Sequence, residues 1–109
     1  MKRYAFVIKL RPEAEERYKI IHREVWPEIL ERITLCNIRN YSIYLRDGFL
    51  FASYEYHGSD HKADMAKMAA DSKTQEWWKI TMPMQEPLQS VATSKGEWWA
   101  EMEEVFHLD

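Results

Sequence analysis

Tyr18 and His22 stand four residues apart in a stretch whose apolar spacing is helical, so their side chains share one face, a turn apart. An imidazole exchanges protons near neutral pH more readily than any other side chain, and a phenol beside it can donate or accept a hydrogen bond. On a face turned toward a core, such a pair needs hydrogen-bond partners. A ligand can supply them. So can a backbone carbonyl, in which case His22 is a core histidine and Tyr18 is ordinary packing. Tyr41, in a run that reads as a strand, brings a second phenol to the same place if it faces inward; packing alone is the competing reading. Trp77 and Trp78 are adjacent in a helical stretch, and successive helical side chains point about 100° apart, so one core layer cannot hold both. One of the indoles is therefore left to edge a pocket or a contact between chains.

Other combinations carry less. His57 and His61 have a metal-ligand interval with Asp60 and Asp64 nearby, but Gly58 and a helix start interrupt it. The segment reads as a solvated helix cap, and no metal site is expected. Cys36 is the only cysteine, which excludes an internal disulfide, suits a reducing compartment and reads as a buried thiol. Three scattered glycines give no phosphate-cradling loop. A net charge of −3 with dispersed basic residues argues against a nucleic-acid partner. No run approaches the roughly 20 apolar residues of a membrane span, and the opening Met1-Lys2-Arg3-Tyr4 does not read as a signal peptide. Glu101, Glu103 and Glu104 include alternate strand positions and read as a solvated face or as partners across a dimer.

The elements that must position these side chains follow from local signals. Tyr4–Leu10 is β-branched and aromatic, stopped by Pro12, and reads as a strand. Pro12 opens a helix that runs to about Leu35, with the Trp26-Pro27 step able to kink or divide it. Residues 40–45 and 49–56 alternate around Arg46-Asp47-Gly48, a hairpin signal. Ser59-Asp60 caps a helix to about Ala70, with Met65, Met68 and Ala69 inward. Asp71-Ser72 caps another through Trp77-Trp78-Lys79. Pro83 and Pro87 begin an irregular stretch to about Gly96, and Met102–Leu108 reads as a closing strand. The predicted order is strand, helix, strand, strand, helix, strand: a ferredoxin-like split βαβ pattern of the α+β class, one domain over residues 1–109. Its antiparallel sheet carries helices on one face only, so a homodimer covering the other face is expected.

Beyond these local readings, the chain resembles the L-rhamnose mutarotase family over nearly its whole length. The resemblance rests on Tyr4-Ala5-Phe6, the Tyr18-x3-His22-x3-Trp26-Pro27-Glu28 stretch, Asn40-Tyr41-Ser42-Ile43-Tyr44-Leu45, Leu50-Phe51-Ala52, Trp77-Trp78-Lys79 and Glu103-Glu104-Val105-Phe106. It implies a dimeric α/β-barrel version of the ferredoxin-like fold and cofactor-free interconversion of sugar anomers; the reducing compartment that suits the lone Cys36 is the cytoplasm. It also implies His22 as proton donor, with Tyr18, Tyr41, Trp77 and Trp78 contacting a monosaccharide. The stretch from Ile80 to Glu101, with a second indole pair at Trp98-Trp99, departs from the rhamnose pattern and resembles a broader branch that includes L-fucose mutarotases. The same architecture hosts cofactor-free monooxygenases and non-catalytic binding modules, so fold alone does not choose among them.

Overall fold

A computed structural model describes the whole chain, residues 1–109. The order of elements is β1 (Lys2–Leu10), α1 (Glu15–Ile21), α2 (Pro27–Leu35), β2 (Ile38–Arg46), β3 (Phe49–Tyr56), α3 (His61–Ala70), α4 (Ser72–Thr81), β4 (Gln85–Glu86) and β5 (Ala100–Glu101). Short 3-10 turns precede α1 and follow α4. All strand pairs are antiparallel; the sheet runs β2-β3-β1-β4, and β5 also pairs with β1. This is the expected ferredoxin-like α+β arrangement. No helix is long and apolar enough to cross a membrane.

Alternation along the strands divides the sheet into two faces. Ile8 and Leu10 of β1 and Leu50 of β3 pack with Tyr18 and Met84, and Ile38, Tyr54 and Tyr56 pack with Ile33, Met65 and Met68. Both clusters lie on the helical face. Tyr44 and Phe51 are cross-strand partners of opposite parity, and both are exposed.

The two expected caps are in place. Asp60 accepts from the Ala63 N–H at 3.0 Å, and Asp71 accepts from the Thr74 N–H at 3.0 Å. Ala69, expected to face inward on α3, is exposed. Asp64 is buried there instead, because the Tyr56 hydroxyl and the Asn37 amide both donate to its carboxylate.

One open alternative is resolved, and one further expectation is corrected. Of the two outcomes the Trp26-Pro27 step allowed, a kink or a division, the structure has the division: two helices separated by residues 22–26. The residue before a proline is pushed out of the helical region, and Trp26 is accordingly extended at φ −55°, ψ 136°. The closing strand expected at Met102–Leu108 is absent. Its pairing with β1 occurs earlier, at Ala100–Glu101, opposite Val7 and Phe6. After the Met102 N–H bonds the Ala5 carbonyl at 2.8 Å, only the first few residues of β1 remain as an edge. A seven-residue strand has nothing to pair with, and the tail is tied down by Arg3 and Glu104. The fourth strand position is thus shared by β4 and β5. Pro87, lacking an N–H, ends the first piece.

Candidate active site

The broken helix creates the site. His22 is the C-terminal cap of α1, at φ −83°, ψ −5°. Its ring folds back so that Nδ1 lies 2.7 Å from the Tyr18 carbonyl oxygen. A carbonyl only accepts, so Nδ1–H is the donor, and the neutral ring keeps its lone pair on Nε2. The ring stacks on Tyr18 at 4.1 Å between centroids and meets the edge of Trp77 at 5.4 Å. Trp26, freed from the helix by Pro27, packs against Trp77 at 5.1 Å. Partial burial lowers the His22 pKa below its ordinary 6.5, with the bond to the Tyr18 carbonyl opposing the shift. The resting imidazole is therefore neutral near pH 7.

Tyr18 is buried, at 5% exposure, and its hydroxyl oxygen accepts from Gln85 Nε2 at 3.2 Å. Gln85 Oε1 in turn accepts from Trp98 Nε1 at 2.9 Å. Burial raises the Tyr18 pKa, and the Gln85 bond partly offsets this.

Tyr41 reaches the helical face through an irregularity in β2. Arg39 pairs with Glu55 and Ser42 with Ser53, so Asn40 and Tyr41 together oppose Tyr54. Asn40 takes the left-handed conformation, φ 50°, as one residue of such a bulge often does. The extra residue inverts the alternation and turns Tyr41 inward, where its ring meets Tyr54 edge-on at 5.5 Å. The residue keeps 41% of its surface exposed. Desolvation of the phenol, with the Tyr18 phenol adding to it, pushes its pKa up to about 12. Both phenols stay protonated at neutral pH and act as hydrogen-bond donors or acceptors rather than as bases.

Of the five residues singled out in the sequence, the structure places His22 against both Tyr18 and Trp77, while Tyr41 packs on Tyr54 on the same face of the sheet. Trp78 stands apart. It lines a hollow of about 560 Å³ with Arg11, Met82, Gln85 and Trp98, joined to the His22 cluster through the Gln85–Tyr18 bond. A larger hollow of about 700 Å³ lies between β1 and the C-terminal tail, is lined by charges of both signs, and includes none of the five. His57 and His61 have different partners, Glu55 at 3.0 Å and the Tyr54 hydroxyl at 2.7 Å.

Trp26, Gln85 and Trp98 were not among the predicted site residues. The surplus of indoles pointed in the direction of Trp26 and Trp98. Nothing in the local sequence marks Gln85.

Fold and site together define a ferredoxin-like α+β protein with an oriented imidazole set among aromatic rings. Residues 3–108 match the model of the L-rhamnose mutarotase family. An L-rhamnose mutarotase of Bacillus subtilis is 31% identical over 111 residues, covering 100% of both chains. One from Oceanobacillus iheyensis is 29% identical over 109 residues, again covering 100% of each. A solved L-rhamnose mutarotase from Formosa agariphila superposes with a TM-score of 0.78 at 22% identity, covering 100% of both chains. The chain belongs to the L-rhamnose mutarotase family, and it is an isomerase.

Proposed function

We propose that the protein interconverts the α and β anomers of a 6-deoxy-hexose, L-rhamnose or L-fucose, with His22 moving the proton and Tyr18, Tyr41, Trp77 and Trp78 holding the sugar. Ring opening needs a proton taken from the anomeric hydroxyl and one given to the ring oxygen. Both oxygens are bonded to the same carbon, so one imidazole nitrogen can serve both. Neutral His22 takes the hydroxyl proton at Nε2. The anomeric C–O double bond forms as the bond to the ring oxygen breaks, and the imidazolium returns its proton to that oxygen. Rotation about C1–C2 and the reverse steps close the ring on the other carbonyl face. Nothing is oxidised or consumed. The resemblance implied a proton donor; in this cycle His22 accepts first and donates second, the order that its depressed pKa favours.

The observation that carries the reading is the oriented imidazole. Nδ1 is committed to the Tyr18 carbonyl, so the proton-transfer nitrogen is Nε2, on a ring held between Tyr18 and Trp77. Aromatic walls suit a pyranose, whose C–H surface packs on ring faces, and they favour a methyl group over a hydroxymethyl.

The same reading includes a homodimer in the cytoplasm. Tyr44 and Phe51 on the outer sheet face, and Val105, Phe106 and Leu108 on the tail, are exposed large apolar side chains that a second copy would cover. The unpaired Cys36 suits a reducing compartment.

The test is NMR exchange spectroscopy of the anomeric signals of L-rhamnose, L-fucose and their hydroxymethyl counterparts, with and without the protein. Accelerated exchange of a 6-deoxy sugar, with no oxygen uptake, is expected. Unaccelerated exchange across the whole panel overturns the reading, and oxygen consumption with a phenolic substrate would point to a monooxygenase instead.

A further inference from the structure

Gln85 is a buried polar side chain, 4% exposed, in the two-residue strand β4, where it pairs with Leu10 of β1. Both ends of its amide are engaged, one by Trp98 and one by Tyr18. The polarity of this chain of hydrogen bonds is fixed by its first member. An indole N–H has no acceptor capacity, so the end of the amide that meets Trp98 is the oxygen. The other end is then NH2, which can only donate. The Tyr18 oxygen must accept from it, and the hydroxyl hydrogen is turned away from Gln85. The bond from Gln85 is the only hydrogen bond of that hydroxyl, on a residue 95% buried.

From this geometry we infer that Gln85 and Trp98 are positioning residues which hold Tyr18 as a hydrogen donor, selecting ligands that present an acceptor oxygen beside the His22 ring. The inference rests on the sugar-isomerase reading for the identity of the ligand, but the polarity stands on the hydrogen-bond geometry alone. It gives a role to the second indole pair of the sequence, through Trp98. It also ties the hollow edged by Trp78 to the proton-transfer site, because Gln85 lines the one and bonds into the other. An unsubstituted Tyr18 hydroxyl free to rotate would accept or donate indifferently. With the amide locked, a sugar oxygen is favoured at that point and a donor-only group is disfavoured.

Two variants test it. Gln85→Met removes the amide while keeping the volume, and Trp98→Phe removes the lock while keeping a ring. The first readout is independent of turnover: NMR titration of 13C-labelled tyrosine, with Tyr18 assigned from Tyr18→Phe. If Tyr18 accepts from Gln85, that bond stabilises the phenolate, so Gln85→Met moves the Tyr18 titration upward. If Tyr18 donated to Gln85, the same substitution would move it downward. The second readout is the split of KM against kcat for the sugar whose anomers exchange. Gln85→Met is expected to raise KM about tenfold, the effect of misdirecting one buried hydrogen bond, with a smaller rise for Trp98→Phe and kcat less affected in both. A downward titration shift, or an unchanged KM in variants whose thermal midpoints match the parent, overturns the inference. Should the parent protein exchange no sugar, the proposed function fails, and the direction of the titration shift still decides the polarity.

Discussion

Replacing His22 with Phe separates the imidazole's chemistry from its packing. The ring sits 4.1 Å from Tyr18 in a near-parallel stack and 5.4 Å from Trp77 edge-on. A phenyl ring fills much the same slab, so most of that contact survives. The loss is the Nδ1–H bond to the Tyr18 carbonyl. That carbonyl is not left bare, because the backbone N–H of residue 22 also bonds it, at 3.2 Å. The expected destabilisation is about 1 kcal/mol, the net worth of one hydrogen bond, or roughly 5 °C in thermal midpoint for a domain of this size. Catalysis should suffer far more. A positioned acid–base group supplies about 10²–10⁴-fold, equivalent to about 2.7–5.4 kcal/mol of barrier. Saturation transfer between the α and β anomeric signals of L-rhamnose, run beside circular-dichroism melting, measures both quantities on one sample. A folded His22→Phe protein that exchanges anomers less than about tenfold more slowly than its parent falls below the range for such a group and refutes the assignment.

The pH profile follows from the direction of the His22 shift. Because the folded pKa lies below 6.5, exchange should be flat around neutrality and fall only in acid, as His22 becomes protonated in the free enzyme. Stability carries the same sign: the unfolded chain takes that proton first, so this contribution is complete above about 6.5 and is lost as pH falls through the folded value. A kcat/KM profile already falling at pH 7.5 contradicts both statements. Asn40→Gly should leave the thermal midpoint unchanged or higher, whereas Asn40→Val forces a β-branched residue into the left-handed conformation, φ 50°. That should cost about 1–3 kcal/mol and weaken sugar affinity through Tyr41, as calorimetric melting and NMR binding would measure. If the proposed homodimer forms through the outer sheet face, the parent sediments as a dimer and Phe51→Glu shifts it to monomer in analytical ultracentrifugation while leaving its circular-dichroism spectrum intact.

What the sequence revealed and what it hid divide along the distance over which the interactions act. The hairpin at Asp47-Gly48, the caps at Asp60 and Asp71, and the Tyr18–His22 spacing are local, and each element formed where its signal stood. Pro27 was visible as a break, and the structure shows that the break frees both His22 and Trp26. The bulge at Asn40 was hidden, because alternation from residue 40 to 45 reads equally well in either parity until a partner strand fixes the register. The tail Met102–Leu108 alternates like a strand, yet a strand needs an edge, and the available length of β1 is a property of the assembled sheet. Gln85 was illegible for a similar reason: a polar residue between Met84 and Glu86 acquires meaning only when Tyr18 and Trp98 arrive from distant parts of the chain.

The division of the fourth strand into β4 and β5 has a consequence for how such a site can change. Between the two anchors, residues 87–99 form a replaceable panel pinned to the sheet at each end by only two residue pairs. Trp98 rides on that panel, whereas His22, Tyr18 and Tyr41 belong to the frame behind it. On the proposed assignment, substitutions or length changes in the panel can therefore retune which ligand is admitted without disturbing the residues proposed to move the proton.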